Sequence, residues 1–206
     1  MKTENKNPLE IVESHNNKKL NGIRSVSLPP VITCRPDAPC KRDCYACKMA
    51  RLYKKNLMQS WQKNYSIYNA APDLFFEQLR IKFLMQKYYR LNVSGDIPSA
   101  DYFERLTKAA TGTGCKIILF TKQFEIVNNF INAGGVIPEN LIVIFSGWSS
   151  WQPENPHRLP MAQVVFKGEE PRDGWKPCPN NCELCATTCG GCFNLKAGET
   201  VYFWKH

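Results

Sequence analysis

The chain has 206 residues, 43% of them hydrophobic and 22% charged, which is the composition of a globular domain with a sizeable core. The most apolar run, residues 141–145, is far shorter than a membrane-spanning helix, and the first residues lack the apolar stretch of a secretory signal. We therefore expect no contact with a membrane and a cytoplasmic location.

The net charge of +9 is unevenly distributed. Residues 1–60 carry 12 Lys and Arg against 5 Asp and Glu, a balance of +7. A basic region of this kind suits a polyanionic partner such as nucleic acid. Because no nucleic-acid recognition motif accompanies the charge, a solvated basic face is the interpretation we favour.

The first part of the chain predicts an arm, a strand and two helices. Residues 1–22 are polar and weakly periodic, and we expect a flexible N-terminal arm. Residues 23–28 alternate as a strand, residues 49–68 have helical composition, and Pro72 begins a further helix. Five apolar residues of that last helix recur at helical spacing and should face the core: Phe75, Phe76, Leu79, Phe83 and Leu84.

From residue 90 onward strands and helices alternate. Strands are predicted over 90–94, 116–121, 141–145 and 162–166, and helices over 99–110 and 123–133. Apolar strands separated by helices indicate a parallel sheet covered on both faces. The predicted fold is α/β, either a partial (β/α) barrel or an open parallel sheet of five to six strands, spanning residues 23–167. Its functional site should lie at the carboxyl ends of the strands.

Residues 168–206 depart from this alternation and form a Cys-rich C-terminal segment that ends in a strand-like run, 199–204. Nine of the ten cysteines lie in two short windows, one in this segment and one after the first strand. In a reducing cytosol, clustered thiols bind metal more often than they form disulfides. The tenth, Cys115, begins an apolar run and is interpreted as a core residue.

The first window has the spacing C-x3-C-x2-C at Cys40, Cys44 and Cys47. Three thiolates so close together can hold three corners of a [4Fe-4S] cluster and leave the fourth iron open. Cys34 lies just before them and is an alternative fourth ligand, which would close the cluster.

The second window has the spacing C-x3-C-x2-C-x3-C-x2-C over 15 residues. It holds one zinc ion or a second iron–sulfur cluster equally well, since either takes four thiolates. A third possibility is that part of it completes the first cluster. Its cysteines are Cys178, Cys182, Cys185, Cys189 and Cys192.

Small and polar residues follow three predicted strands and offer the lining of a pocket. These residues are Ser94, Gly95, Asp96, Thr121, Lys122 and Ser146. The competing interpretation of each group is an ordinary turn between strand and helix.

Together these motifs resemble the phage-encoded gene product eighty-eight family, whose pattern is similar to that of radical S-adenosylmethionine (SAM) enzymes. The resemblance covers residues 23–195 and implies a phage or prophage origin, hence the cytoplasm of a bacterial host. It also implies a radical-SAM-like partial barrel in which Asp96, with Ser94 and Gly95, orients SAM on the open iron. The residues that carry it are Ser27–Pro29, Thr33–Cys34, Cys40–Ala46, Asn92–Asp96, Thr121–Lys122 and the C-terminal cysteines.

Three functions follow as hypotheses. The first is a radical-SAM-type enzyme with an unknown substrate and electron donor. The second is a non-enzymatic metal-binding phage accessory protein that uses its basic first third for nucleic acid. The third is an electron-transfer or redox-sensing protein with closed clusters.

Overall fold

The computed structural model describes residues 8–14, 20–53, 56–187 and 191–205, and its strands form one open sheet. The sheet has eight strands in the order β1-β2-β3-β4-β5-β6-β8-β7. Every pairing is parallel except that of β1 with β2. The strands are β1 (Glu13–Ser14), β2 (Arg24–Val26), β3 (Tyr88–Leu91), β4 (Lys116–Thr121), β5 (Leu141–Trp148), β6 (Met161–Val165), β7 (Lys176–Pro177) and β8 (Thr200–Trp204).

The open parallel sheet is confirmed, and the sheet is not closed into a barrel. The expected five to six strands were too few, because β1 and β7 are two-residue strands with no periodic signal. From β2 to β6 each parallel strand lies beside the next one in sequence. The carboxyl ends of these strands therefore line one edge in chain order.

The helices are α1 (Tyr45–Leu52), α2 (Leu57–Ala70), α3 (Pro72–Leu84), α4 (Ala100–Ala110), α5 (Phe124–Asn132) and α6 (Cys182–Thr187). The single helix expected over 49–68 is wrong, since the chain divides it into α1 and α2. Two start signals are confirmed: Pro72 lies in the first turn of α3, and the Ser99 hydroxyl accepts a hydrogen bond from the Tyr102 amide at 3.1 Å.

The larger core lies between α2–α5 and one face of the sheet. Alternate strand residues reach it, such as Tyr89 and Leu91 from β3 and Val143 and Phe145 from β5. Four of the five apolar residues predicted for α3 are buried there, but Leu84 is 57% exposed. Leu84 is one residue past Phe83, and a step of about 100° turns it away from the sheet.

The opposite face is covered by the Cys-rich segment rather than by long helices, which corrects the expectation of helices on both faces. Ile118, Ile144 and Val201 from the strands pack there against Phe193 and Leu195. Because β8 lies between β6 and β7, residues 168–206 contribute to the same sheet as the rest of the chain.

The N-terminal residues that the structure describes are part of the sheet and its cores. β1 pairs with β2, and Ile11 and Leu20 are 3% and 1% exposed. The flexible arm expected over 1–22 is therefore wrong for residues 11–14 and 20. Residues 1–7 and 15–19 lie outside the described residues.

Within the described ranges, none of the helices combines the length and the apolar character needed to cross a membrane.

Candidate metal centre

The loop that follows β2 is joined to the loop that follows β3. Leu28 donates its amide to the Ser94 carbonyl at 3.1 Å, and Asp96 donates its amide to Thr33 Oγ1 at 3.0 Å. Gly95 permits this approach, because a Cβ there would lie 2.7 Å from both the Leu28 carbonyl oxygen and Thr33 Oγ1. Gly95 also has φ +75°, a conformation that favours glycine. The loop with the first cysteines is thus fixed at the carboxyl edge of the sheet.

The first cysteine group, Cys34, Cys40, Cys44 and Cys47, gathers in this loop and the start of α1. Cys44 and Cys47 share a side-chain hydrogen bond, and Cys40 is in electrostatic contact with Cys34, Cys44 and Cys47. All four side chains are partly buried. The structure therefore brings the predicted cysteines of this window together.

Burial is the main influence on these thiols. It raises the pKa of Cys34 to about 11, and it raises the pKa of Cys40 and of Cys47, the latter also through the hydrogen bond with Cys44. Such thiols stay protonated at neutral pH and ionise when a cation replaces the protons.

Asp96 lies beside this group and is almost fully buried, with 1% exposure. Its Oδ1 accepts hydrogen bonds from the Thr121 hydroxyl at 2.6 Å and the Ile97 amide at 2.8 Å, and its Oδ2 accepts one from the Lys122 amide at 2.9 Å. Burial raises the pKa of Asp96, an effect that Lys122 opposes. Asp96 therefore ties the end of β4 to the loop after β3.

Two other residues of the loop after β3 carry buried polar atoms without a partner. Among the described residues, nothing bonds to the amide nitrogen or oxygen of the Asn92 side chain or to Ser94 Oγ. Asn92 and Ser94 are 6% and 3% exposed. Buried polar groups are almost always satisfied, so these atoms point to a partner beyond the described residues.

The remaining predicted residue, Ser146, is placed differently. The strand prediction ended at residue 145, but β5 continues to Trp148, so Ser146 lies inside the strand and not at its end. Thr121 and Lys122 do lie at the end of β4 and bond to Asp96. Of the three strand ends that were expected to line one pocket, the structure therefore brings two together, those of β3 and β4.

The outer part of the first loop is held by charge and aromatic contacts. The Arg35 guanidinium lies 5.8 Å from the ring centroids of both Phe124 and Trp151 and bonds to Asp37 at 2.6 Å and Glu125 at 3.1 Å. Six of the twelve basic residues in 1–60 lie outside the described residues. Arg35 is among the other six, and its charge is paired with a carboxylate. The structure gives no separate support to a nucleic-acid face.

Four cysteines of the second window, Cys178, Cys182, Cys185 and Cys192, form the second cysteine group on the face of the sheet opposite α2–α5. Cys192 hydrogen-bonds with Cys185 and is in electrostatic contact with Cys178. Arg90 of β3 donates from Nη1 to Cys182 Sγ at 3.3 Å. Cys189 lies outside the described residues.

As the side chains stand, no three Cys, His, Asp or Glu residues in the described part of the chain are arranged as metal ligands. The donor set nevertheless suits a thiolate-bound metal, because each group combines one hydrogen-bonded pair of cysteines with at least one more that interacts with the pair electrostatically. Neither group includes a carboxylate or histidine ligand, which favours a thiophilic metal over Mg²⁺ or Ca²⁺.

The family model named Gene product 88 matches residues 2–190 of the chain. The chain belongs to this family. No curated protein and no solved structure matches it.

The Gene product 88 match includes every cysteine of the two windows except Cys192, which lies two residues beyond it. The expected phage-type family is thereby confirmed.

Two residues of the site were missed from the sequence: Thr33, which accepts a hydrogen bond from the Asp96 amide, and Arg90, which donates one to Cys182. Arg90 had a usable signal, since it is a charged residue in the middle of an otherwise apolar and aromatic strand.

Proposed function

We propose that this protein binds an iron–sulfur cluster through Cys40, Cys44 and Cys47 and offers the remaining iron to SAM. The observation that carries the proposal is the position of these cysteines. Cys44 and Cys47 are hydrogen-bonded, and Cys40 interacts electrostatically with both, in the loop and the start of α1 at the carboxyl edge of a parallel sheet, where α/β proteins bind their ligands. When bound, such a cluster supplies one-electron chemistry to a ligand on its open iron.

The residues of the neighbouring loop have distinct roles in this proposal. Asn92 and Ser94 provide the unsatisfied polar atoms that meet the ligand. Asp96 acts as a positioning residue, because its carboxylate is already bonded to Thr121, Lys122 and Ile97. It holds the loop after β3 against β4 and so presents Ser94 and Asn92 toward the cysteines.

The proposal is tested by anaerobic reconstitution with iron and sulfide, followed by electron paramagnetic resonance of the reduced protein with and without SAM. We expect a [4Fe-4S] signal that changes on adding SAM. A triple variant, Cys40→Ala with Cys44→Ala and Cys47→Ala, should lose the responsive signal and about four iron per chain, the content of one such cluster.

Cys115→Ala is the matched control, because Cys115 is fully buried in the larger core, away from both groups. It should retain all the iron. A triple variant with the same iron content and SAM response as the wild type would contradict the proposal.

A closed four-thiolate cluster is the second candidate, and one observation favours it. Cys34 is in electrostatic contact with Cys40 and lies near Asp96 and Lys122, so it is placed to reach the same cluster. A closed cluster would serve electron transfer rather than SAM chemistry. Cys34→Ala separates the two: it leaves the SAM response intact if the fourth iron is open, and it creates a response or loses the cluster if Cys34 is the fourth ligand.

A further inference from the structure

We infer that Cys178, Cys182, Cys185 and Cys192 form a second, closed tetrathiolate metal centre, with the partly buried Arg90 guanidinium as its counter-cation. This inference is independent of the first cysteine group and would stand if that group bound nothing.

Local structure explains how the four cysteines meet. Cys182 and Cys185 are three residues apart in α6 and so share one face of the helix. Cys192 is brought to Cys185 by Gly191, where a Cβ would lie 2.1 Å from the Cys185 carbonyl oxygen. Cys178 donates its amide to the Tyr202 carbonyl at 2.9 Å, which fixes it to β8.

Arg90 is the observation that points to an anion at this place. Its Nη1 bonds to Cys182 Sγ, its guanidinium carbon lies 4.8 Å from the Phe120 ring centroid, and its Nε is buried without a hydrogen-bond partner in the described part of the chain. Among the described residues, no carboxylate pairs with it. A partly buried cation without a counter-charge loses part of its hydration, and neutral thiols offset this loss less well than thiolates do.

A tetrathiolate centre supplies that charge. Four thiolates around Zn²⁺, or around a [4Fe-4S] core, leave a net negative charge that the guanidinium offsets. Cys192 hydrogen-bonds with Cys185, so two of the four proposed ligands are already in contact. Cys178 Sγ also accepts from the Asn180 amide at 3.4 Å, a backbone contact that stabilises a thiolate.

The surroundings of the group indicate a closed centre. Cys182, Cys185 and Cys192 are 7%, 2% and 5% exposed and pack among apolar residues of the sheet face. With four thiolates as ligands, three of them from buried cysteines, the metal has no open position for a substrate. The centre therefore stabilises the fold or stores an electron, whereas the first group is partly open.

Metal and sulfide analysis of anaerobically purified protein tests this inference. The triple variant that lacks Cys40, Cys44 and Cys47 should still contain one zinc per chain, or four iron with matching sulfide, and the two outcomes identify the metal. Adding Cys182→Ala and Cys185→Ala should remove it. A folded triple variant with neither zinc nor iron, or with a disulfide joining Cys185 and Cys192, would overturn the inference.

If the five-fold variant does not fold, the triple variant itself is titrated with a chelator. Release of the metal should expose four additional thiols, and release without new thiols would count against the assigned ligands.

Arg90→Met tests the counter-cation separately. We expect the metal to be bound about 10- to 100-fold more weakly, which is the usual effect of losing a residue that hydrogen-bonds to a metal ligand. Arg80→Met is the control, because Arg80 bonds to the carbonyls of Ala109 and Thr111 on the helical side of the molecule. Equal metal affinity in the Arg90 and Arg80 variants would contradict the role of Arg90.

Discussion

The first cysteine group lies in a loop beyond the strand ends, whereas the second is packed on a face of the same sheet. The first loop is held by polar and charged contacts, such as those of Thr33 with Asp96 and of Arg35 with Glu125. The second group is held by apolar packing of Phe193 and Leu195 against the strands. The two regions therefore bring cysteine side chains together by different interactions.

This difference separates two kinds of metal site. The first region has partly exposed cysteines, and the loop bonded to it, which follows β3, carries unsatisfied atoms of Asn92 and Ser94; a ligand-binding centre needs both. The apolar region encloses its cysteines and provides one cation, Arg90, which is what a closed anionic centre needs. Changes that affect only one region test whether the two sites are independent.

The largest effect is expected for Gly191→Ala. The new Cβ would lie 2.1 Å from the Cys185 carbonyl oxygen and 2.6 Å from its Cα, so backbone must move. We expect the free energy of unfolding, measured with urea, to fall by about 3 kcal/mol, with loss of metal from the second group only.

Gly112→Ala is its control, because nothing lies within 4 Å of a Cβ there and only the φ of +71° opposes the change. It should cost about 1 kcal/mol and leave both metals in place. Equal losses in the two variants would show that Gly191 does not hold Cys192 near Cys185.

The corresponding change in the first region is Gly95→Ala. It combines a φ of +75° with contacts of 2.7 Å to the Leu28 carbonyl oxygen and Thr33 Oγ1. We expect a loss of about 2 kcal/mol in unfolding free energy and a lower iron content that comes from the first group alone. Gly134→Ala, with φ +85° and open space, is the control. Loss of metal from the second group as well would contradict independent sites.

The pattern of the sequence predicted the central strands and helices well, because their apolar periodicity is strong. The strand Lys116–Thr121 has the predicted bounds, and α4 begins after Ser99 as its capping residue requires. It could not predict β1 and β7, whose two residues have no measurable period and whose pairing depends on distant neighbours.

The two cysteine groups were predicted because ligand spacing is local, but their surroundings were not. Asp96 was identified by its position after a strand, yet its engagement with Thr121, Lys122 and Ile97 depends on how two loops meet. Arg90 reaches Cys182 across 92 positions of sequence, a contact that no local pattern encodes.

A smaller effect is expected for Thr121→Val. It removes the hydroxyl that donates to Asp96 Oδ1 at 2.6 Å and accepts from the Gln123 amide at 3.0 Å. The buried carboxylate then loses one of its donors, which should lower the unfolding free energy by about 1.5 kcal/mol. We also expect a weaker SAM response of the reduced cluster, since the loop after β3 is less firmly held.

Thr107→Val is the matched control, because its buried hydroxyl donates only to the Glu104 carbonyl within α4. It should cost less than about 1 kcal/mol and leave the SAM response unchanged. If both variants alter the response equally, Asp96 and Thr121 do not position the ligand loop.

The smallest effect is expected at the exposed margin of the second region, where Glu199 accepts from Lys176 at 2.7 Å and from the Lys196 amide at 2.9 Å. The hydrogen bond from Lys176, followed by that from Lys196, lowers the pKa of Glu199. Its contribution to stability is therefore complete above the ordinary glutamate pKa and is lost as the pH falls through the lowered value.

Glu199→Gln should reduce the unfolding free energy at pH 7 by about 0.5 kcal/mol, because solvent screens a pair of which both side chains are partly exposed. The difference from wild type should shrink at high salt and disappear below the lowered pKa of Glu199, whereas Glu170→Gln, at an exposed residue, should match the wild type throughout. A larger loss that persists in acid would mean that Glu199 stabilises β8 through its uncharged contacts. In that case the margin of the second region would depend on packing, as its interior does, and not on surface charge.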